Sequence, residues 1–411
     1  MRDAGQIRIL RIIARLNIGG PAIQAVLLSA YLPKDRYKTL LVCGRVGPHE
    51  GDMSYLAQSK GIQPLVLPDL GRELSFLGDL KSYGGLMEVI RKFKPHIIHT
   101  HTAKAGSLGR LTGVCLNLGR RSTDKIRFVH TFHGHVFHSY FSPLRTCLFI
   151  LVERFLARFT DRIIVISPLQ RQDICMKFRI ARPGKVRVIP LGFDLSPFSK
   201  LCENRKMMRG EYLGRSLEDI LVVVIVGRLT HVKNHRMFLE AVRYIKDQGK
   251  GDSFKFLIVG DGELRKELSA YASRLGVEDS VVFKGWKRDM GSVYAAADIV
   301  ALSSLNEGTP VTLIEGMAAG TPVVATEVGG VRDLLGEVDN DSGEGYKLAR
   351  HGILVPSGGA EEMAKALLFA QANRGIVLRM ADRAKEYVIA KYSVERLVGD
   401  LETLYEDLLK N

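Results

Sequence analysis

The sequence predicts an α/β fold of two doubly wound, Rossmann-like domains facing a cleft. Three observations carry that prediction. The chain has 411 residues, long for one core and about twice a typical domain. Short β-branched runs alternate with helical stretches from end to end, as in parallel sheets covered on both faces. Residues 190–215 mix Gly, Pro, Ser and charge without period, which marks a linker and puts the boundary near Asp194.

In the first half, strands are expected at residues 7–13, 39–43, 97–99, 128–131, 162–166 and 186–189, with helices at 22–31, 86–93, 106–116 and 144–159. The second half repeats the scheme with strands at 221–226, 255–259, 281–283, 299–302 and 323–325, each followed by a helix, and a last helix at 394–409. Such sheets bind ligands at the carboxyl ends of their strands. In the 144–159 helix, Leu144, Cys147, Leu148, Leu151, Val152, Phe155, Leu156 and Phe159 form a stripe beside Arg145, Arg154 and Arg158. The stripe reads as core packing in preference to membrane insertion.

Charge is uneven. Lys and Arg exceed Asp and Glu by 30 to 13 over residues 1–195, or +17, whereas residues 196–411 hold 29 against 31, or −2. A basic half suits anionic lipid headgroups, a phosphorylated acceptor or nucleic acid, and equally a solvated basic surface. No recognised nucleic-acid motif accompanies the charge, so no nucleic-acid partner is expected. Five scattered cysteines, Cys43, Cys115, Cys147, Cys175 and Cys202, form no C-x-x-C pair and fit a reduced, cytoplasmic setting. Arg8, Arg11 and Arg15 interrupt the stretch that a secretion signal would need, and no apolar run approaches the roughly 20 residues of a membrane span. The expected location is cytoplasmic, with peripheral contact to the inner face of an anionic membrane.

The most informative segment is Glu307-Gly308-Thr309-Pro310-Val311-Thr312-Leu313-Ile314-Glu315, two carboxylates around the start of a predicted helix. Pro310 suits the first helical position, and the amides beyond it are an anion site favoured by the helix dipole. Carboxylates accept hydrogen bonds, so Glu307 and Glu315 suit sugar hydroxyls. This E-x7-E pattern resembles the signature of the retaining glycosyltransferases of family 4, which have the GT-B fold and use nucleotide-diphosphate sugars. Val226-Gly227-Arg228-Leu229-Thr230-His231-Val232-Lys233-Asn234 is similar to that family's Arg and Lys pair on the donor diphosphate. Thr131-Phe132-His133-Gly134 resembles its acceptor-side histidine turn, and Ile189-Pro190-Leu191-Gly192-Phe193-Asp194 its linker.

The resemblance implies an acceptor-side domain over residues 1–194, a donor-binding domain over 195–390, and a C-terminal helix at 391–411 packing back on the first domain. It implies that Arg228 and Lys233 neutralise the departing diphosphate, that His133 faces the transferred sugar, and that Glu307 is a binder. Donor contacts are expected from Gly262, Trp286, Lys287, Gly308, Thr309, Pro310, Val311 and Glu315. They are expected also from Gly19 and Gly20 in Asn17-Ile18-Gly19-Gly20-Pro21, although that loop taken alone reads as a tight turn. His101, Lys104 and Gly106 are candidates for the acceptor side.

Seven of the eleven histidines lie between His96 and His138, but no Cys, Asp or Glu completes a local tetrahedral set. Asp339-Asn340-Asp341 is a literal D-x-D, read as a solvated loop in a Gly- and charge-rich stretch. No metal and no cofactor are therefore expected beyond the donor, a UDP-sugar by family precedent. The aromatic segment of His135, Phe137, Tyr140 and Phe141 suits a sugar ring, a lipid or a packed loop. The leading reading is a hexosyl or N-acetylhexosaminyl transferase working by front-face attack on a glycan or lipid-linked acceptor. A nucleotide-sugar epimerase, a non-catalytic sugar-nucleotide sensor and a dinucleotide oxidoreductase are the alternatives, the last weakened by the missing G-x-G-x-x-G.

Overall fold

The computed structural model describes residues 5–17, 19–47, 51–71, 75–121, 124–133, 143–198, 205–213 and 220–410. Ile18, Gly134, the aromatic segment from His135 to Phe141, Cys202 and the side chains of Leu144 and Arg145 lie outside that description. Two compact units emerge, Met1–Asp194 with Tyr392–Asn411, and Leu195–Lys391.

The first unit holds a sheet of β1 (Ile7–Arg15), β2 (Tyr37–Gly44), β3 (Leu65–Val66), β4 (Ile97–His101), β5 (Arg127–Phe132), β6 (Arg162–Val165) and β7 (Val186–Val188). Its order is β3-β2-β1-β4-β5-β6-β7, parallel throughout. Alternate residues of β1 feed the two faces. Ile9 packs with Ile97, Val129 and the last helix, Val394–Lys410, through Leu397, Leu401 and Tyr405. Leu10 and Ile12 pack with Ile98, Phe128, Leu86 and Ile90. Burial on both faces explains the near-continuous apolar runs of these strands.

The second unit's sheet contains β8 (Leu221–Val226), β9 (Phe254–Val259), β10 (Val281–Phe283), β11 (Ile299–Leu302), β12 (Val323–Thr326), β13 (Val338–Asp341), β14 (Lys347–Ala349) and β15 (Gly352–Val355). The order is β10-β9-β8-β11-β12-β15-β14-β13, and β14 alone runs antiparallel to the other strands. Strand order reverses between β8 and β11, as it does between β1 and β4 in the first unit, so the loops after those strands flank a crevice.

Four expectations need correction. Asp339-Asn340-Asp341 is not a loop but part of β13, an edge strand exposed at every residue and therefore without apolar period. The strands β14 and β15 were not foreseen. The helix expected from residue 86 spans Phe76–Phe93, capped by Ser75, whose hydroxyl accepts from the Gly78 amide. Its first turns carry exposed Phe76, Leu77 and Leu80, so they show no buried period.

The fourth concerns the stripe on the helix Pro143–Phe159. Leu156 is buried, but Leu148, Leu151 and Phe155 are 62%, 54% and 49% exposed, and Val152 and Phe159 also face outward. The inward face is claimed by Glu153, whose two carboxylate oxygens each accept from Arg110 Nη2 at 2.9 Å, both residues being buried. A buried pair of this kind sets the rotation of a helix, since breaking it costs about 3–5 kcal/mol.

Candidate active site

β8 ends at Val226, and the chain turns through Gly227 and exposed Arg228 into a short 3-10 turn, His231–Lys233. β11 ends at Leu302 and runs through Ser303 and Ser304 to Glu307. The two loops are stitched together. The Leu305 amide donates to the Val232 carbonyl at 2.8 Å, and the Ser303 hydroxyl donates to the Lys233 carbonyl at 2.8 Å. In consequence Lys233 Nζ lies 2.6 Å from Glu307 Oε1, which also accepts from the Ser304 hydroxyl at 2.6 Å. The Lys233 side chain keeps 26% of its surface open, and two ammonium protons remain to meet an anion. Arg228 makes no side-chain hydrogen bond or ion pair among the described residues.

Glu307 is seated by main chain. A Cβ on Gly329 would fall 1.9 Å from the Glu307 carbonyl oxygen, and one on Gly330 would fall 1.9 Å from that of Gly308. The Gly330 amide also donates to the Glu307 carbonyl at 3.1 Å. Gly329 takes φ 46, a left-handed conformation that suits glycine. Sequence reasoning missed this pair, although a Gly-Gly following a buried strand was a signal.

The helix after Glu307 spans Val311–Ala318, with Pro310 one position earlier than expected, at the N-cap. Leu313 and Ile314 amides reach back to the Pro310 carbonyl, and the earlier amides have no intrahelical partner. Gly308 is exposed, and Thr309 and Val311 are partly so. Glu315 lies one turn inside the helix, where Oε2 accepts from the Tyr294 hydroxyl at 2.8 Å. Burial pushes its carboxyl up to about 7. Tyr294, at the end of another helix, was the second functional neighbour that spacing alone did not reveal.

Gly262, Trp286 and Lys287 follow β9 and β10. A Cβ on Gly262 would sit 2.5 Å from the Leu229 carbonyl, so this glycine packs against the loop that carries Arg228. Trp286 is exposed, and the Lys287 ammonium stands 5.4 Å from the centre of the Tyr212 ring.

In the first unit, Gly20 opens the helix Gly20–Tyr31, with Gly19 as its N-cap and Pro21 in the first turn. The histidines gather at the ends of β4 and β5. His133 Nε2 lies 2.8 Å from His101 Nδ1, and His101 stacks on His99 with ring centres 4.4 Å apart. His99 meets Thr131 Oγ1 at 2.7 Å through Nε2, and the Tyr405 hydroxyl at 2.6 Å and Arg11 Nη1 at 2.9 Å through Nδ1. His130 Nδ1 stands 2.8 Å from Thr100 Oγ1. Burial holds all four imidazoles neutral: it pushes His133 down to about 3 and the other three well below the ordinary range, with Arg11 adding to the effect at His99. His133 Nδ1 and His101 Nε2 are buried without a hydrogen-bond partner among the described residues.

Gly106 is buried in the helix Ala103–Asn117. A Cβ there would fall 2.5 Å from the His130 ring, so it permits close helix-to-sheet packing. Lys104 Nζ is paired with Asp79 at 2.7 Å. Among the described residues, no three His, Cys, Asp or Glu side chains stand together as a metal-binding group.

Comparison with known proteins fits this geometry. Residues 18–197 match the family described as Glycosyltransferase Family 4, and residues 220–373 match Glycosyl transferases group 1. A UDP-Gal:alpha-D-GlcNAc-diphosphoundecaprenol alpha-1,3-galactosyltransferase of Escherichia coli is 28% identical over 95% of this chain and 94% of its own. The putative glycosyltransferase EpsD of Bacillus subtilis is 25% identical over 80% of each chain. Among solved structures, Anabaena HepE in complex with UDP superposes with a TM-score of 0.77 at 21% identity, over 97% of this chain and 100% of its own. A Rickettsia africae glycosyltransferase superposes at 0.78 and 19% identity, over 99% of this chain and 100% of its own.

Two Rossmann-like units of this order, with those relatives, define a glycosyltransferase of the GT-B fold. The chain belongs to glycosyltransferase family 4.

Proposed function

We propose that this glycosyltransferase moves a hexose or N-acetylhexosamine from a UDP-sugar to a cell-envelope glycan or lipid-linked acceptor, with retention of anomeric configuration and without a metal ion. The observation that carries the reading is the contact of Lys233 with Glu307 where β8 and β11 end, beside unpaired Arg228. Breaking the bond to the donor diphosphate builds negative charge on the leaving group. Arg228, Lys233 and the first amides of the helix Val311–Ala318 supply fixed positive groups to meet it. Glu307 orients Lys233 and keeps lone pairs for a sugar hydroxyl. In front-face attack the donor phosphate takes the acceptor proton, so no carboxylate need act as nucleophile, unlike the paired acids of glycosidases. Neutral His133 would then hydrogen-bond the transferred sugar without adding charge.

Support for donor and acceptor comes from the relatives: the Escherichia coli protein is named for transfer from UDP-Gal to a diphosphoundecaprenol-linked sugar, and HepE was solved with UDP. In the same reading the enzyme works at the inner face of the membrane, which the basic first unit contacts.

The test is UDP release from a panel of UDP-sugars with a GlcNAc-diphospholipid acceptor, with and without EDTA, and with product configuration read by NMR. Release that depends on acceptor, survives EDTA and yields an α-linked product from an α-linked donor supports the reading. An inverted product defeats retention, and loss of turnover in EDTA defeats metal independence. Formation of a new UDP-sugar without acceptor would favour the epimerase.

A further inference from the structure

We propose that the outer face of the helix Pro143–Phe159, together with the cationic hollow at its flank, docks the first unit onto an anionic lipid bilayer. Leu148, Leu151, Val152, Phe155 and Phe159 follow one another at helical spacing and form one exposed stripe. The Phe155 and Phe159 rings meet edge to face at 5.3 Å and extend it.

Beside the stripe lies a cavity of about 610 Å³ lined by Arg154, Arg158, Arg179, Arg182 and Lys185, with no carboxylate among the described residues of its wall. Arg154 and Lys185 brace this wall through carbonyls, Arg154 on that of Phe178 at 2.7 Å and Lys185 on those of Ala157 and Arg158 at 3.0 and 3.1 Å. Arg158, Arg179 and Arg182 are exposed. The helix's one acid, Glu153, is turned inward onto Arg110, so the helix's outer face carries no carboxylate, and Asp161, just past the helix, acts on Lys185 among the five cations.

Large apolar side chains in a row with arginines alongside suit a helix lying in the interface, the apolar groups at the acyl boundary and the cations among the phosphates. None of the helices among the described residues is long and apolar enough to cross a membrane, so this one would lie on the surface. A second copy fits less well, because a twofold contact would bring each ring of five cations against its like. The inference deepens the membrane contact put forward above. Because docking is measured without sugar nucleotide, docking and transfer fail separately.

Flotation of the full chain with vesicles of phosphatidylcholine, alone or mixed with phosphatidylglycerol, tests it. Binding is expected only to the anionic vesicles and is expected to weaken in high salt. Arg158→Gln and Arg182→Gln should each weaken partition about fivefold, and the Leu151→Ser, Phe155→Ser double variant more than tenfold. Unchanged circular dichroism and unchanged UDP affinity show that the variants are folded. Equal partition of wild type and variants overturns the proposal. So does a dimer, seen by light scattering, that the double variant splits while wild type ignores the vesicles.

Discussion

The carboxyl ends of the two sheets share a strand order and differ in electrostatics. In the first unit, His99, His101, His130 and His133 are sunk at the ends of β4 and β5 as neutral rings, linked by Thr100, Thr131 and Tyr405. In the second, Lys233 and Glu307 meet as a charged pair that keeps contact with solvent, and Arg228 stands exposed beside them. Topology decides where the loops converge, and side chains decide what is offered there. One end presents directional hydrogen bonds without charge, and the other presents charge held by main chain.

The largest expected effect is acid sensitivity concentrated in the first unit, since the second holds fewer such groups, His235, which burial pushes down to about 4, and His351, lowered by burial. Each of the first unit's four buried histidines has a folded value below its unfolded one, so the unfolded state binds more protons and stability falls as pH drops below about 6.5. Each would cost about 1.4 kcal/mol per pH unit until its folded value is reached. Hydrogen exchange between pH 7 and pH 4 should show β4 and β5 opening before β8 and β11, and the reverse order would break the comparison.

Next comes Lys233→Met. Loss of an electrostatic stabiliser of the leaving group should lower kcat/KM about 10²- to 10³-fold. The acid profile of the first unit should not move, and an unchanged turnover would remove Lys233 from the chemistry.

Gly330→Ala should cost about 3 kcal/mol by forcing the main chain of Gly308 away. Weaker UDP binding in calorimetry, with wild-type exchange rates in the first unit, is the expected signature.

Glu315→Gln sharpens the contrast at alkaline pH. The carboxyl of Glu315 is raised to about 7, so it contributes stability below its unfolded value that fades as pH rises through 7. Wild type should therefore lose about 2 kcal/mol between pH 5 and pH 8, and the variant should show a flatter Tm profile over that range.

Much of the fold was legible because strands buried on both faces leave unbroken apolar runs, as in Leu221–Val226. The edge strand β13 was not legible, since exposed Val338–Asp341 has no such run, whereas β15, buried and parallel to β12, was missed although Ile353-Leu354-Val355 is one. Periodicity revealed the stripe on Pro143–Phe159 but not its facing, because Arg110, the group that fixes Glu153 inward, lies 43 residues earlier. At the site, the loops after β8 and β11 could be found because their side chains are chemically distinctive. Tyr294 and the Gly329-Gly330 seat escaped, one because its contact is tertiary, the other because a missing side chain leaves little to read.

That seat has a practical consequence. Glu307 is held by backbone pressed against backbone, whereas exposed Trp286 and half-buried Lys287, just past β10, are replaceable side chains. On the proposed reading, grip and taste are uncoupled in this enzyme. A library at Trp286 and Lys287 can be screened for new donors while the hold on pyrophosphate stays in place, and glycines 329 and 330 are the two codons such a library should leave alone.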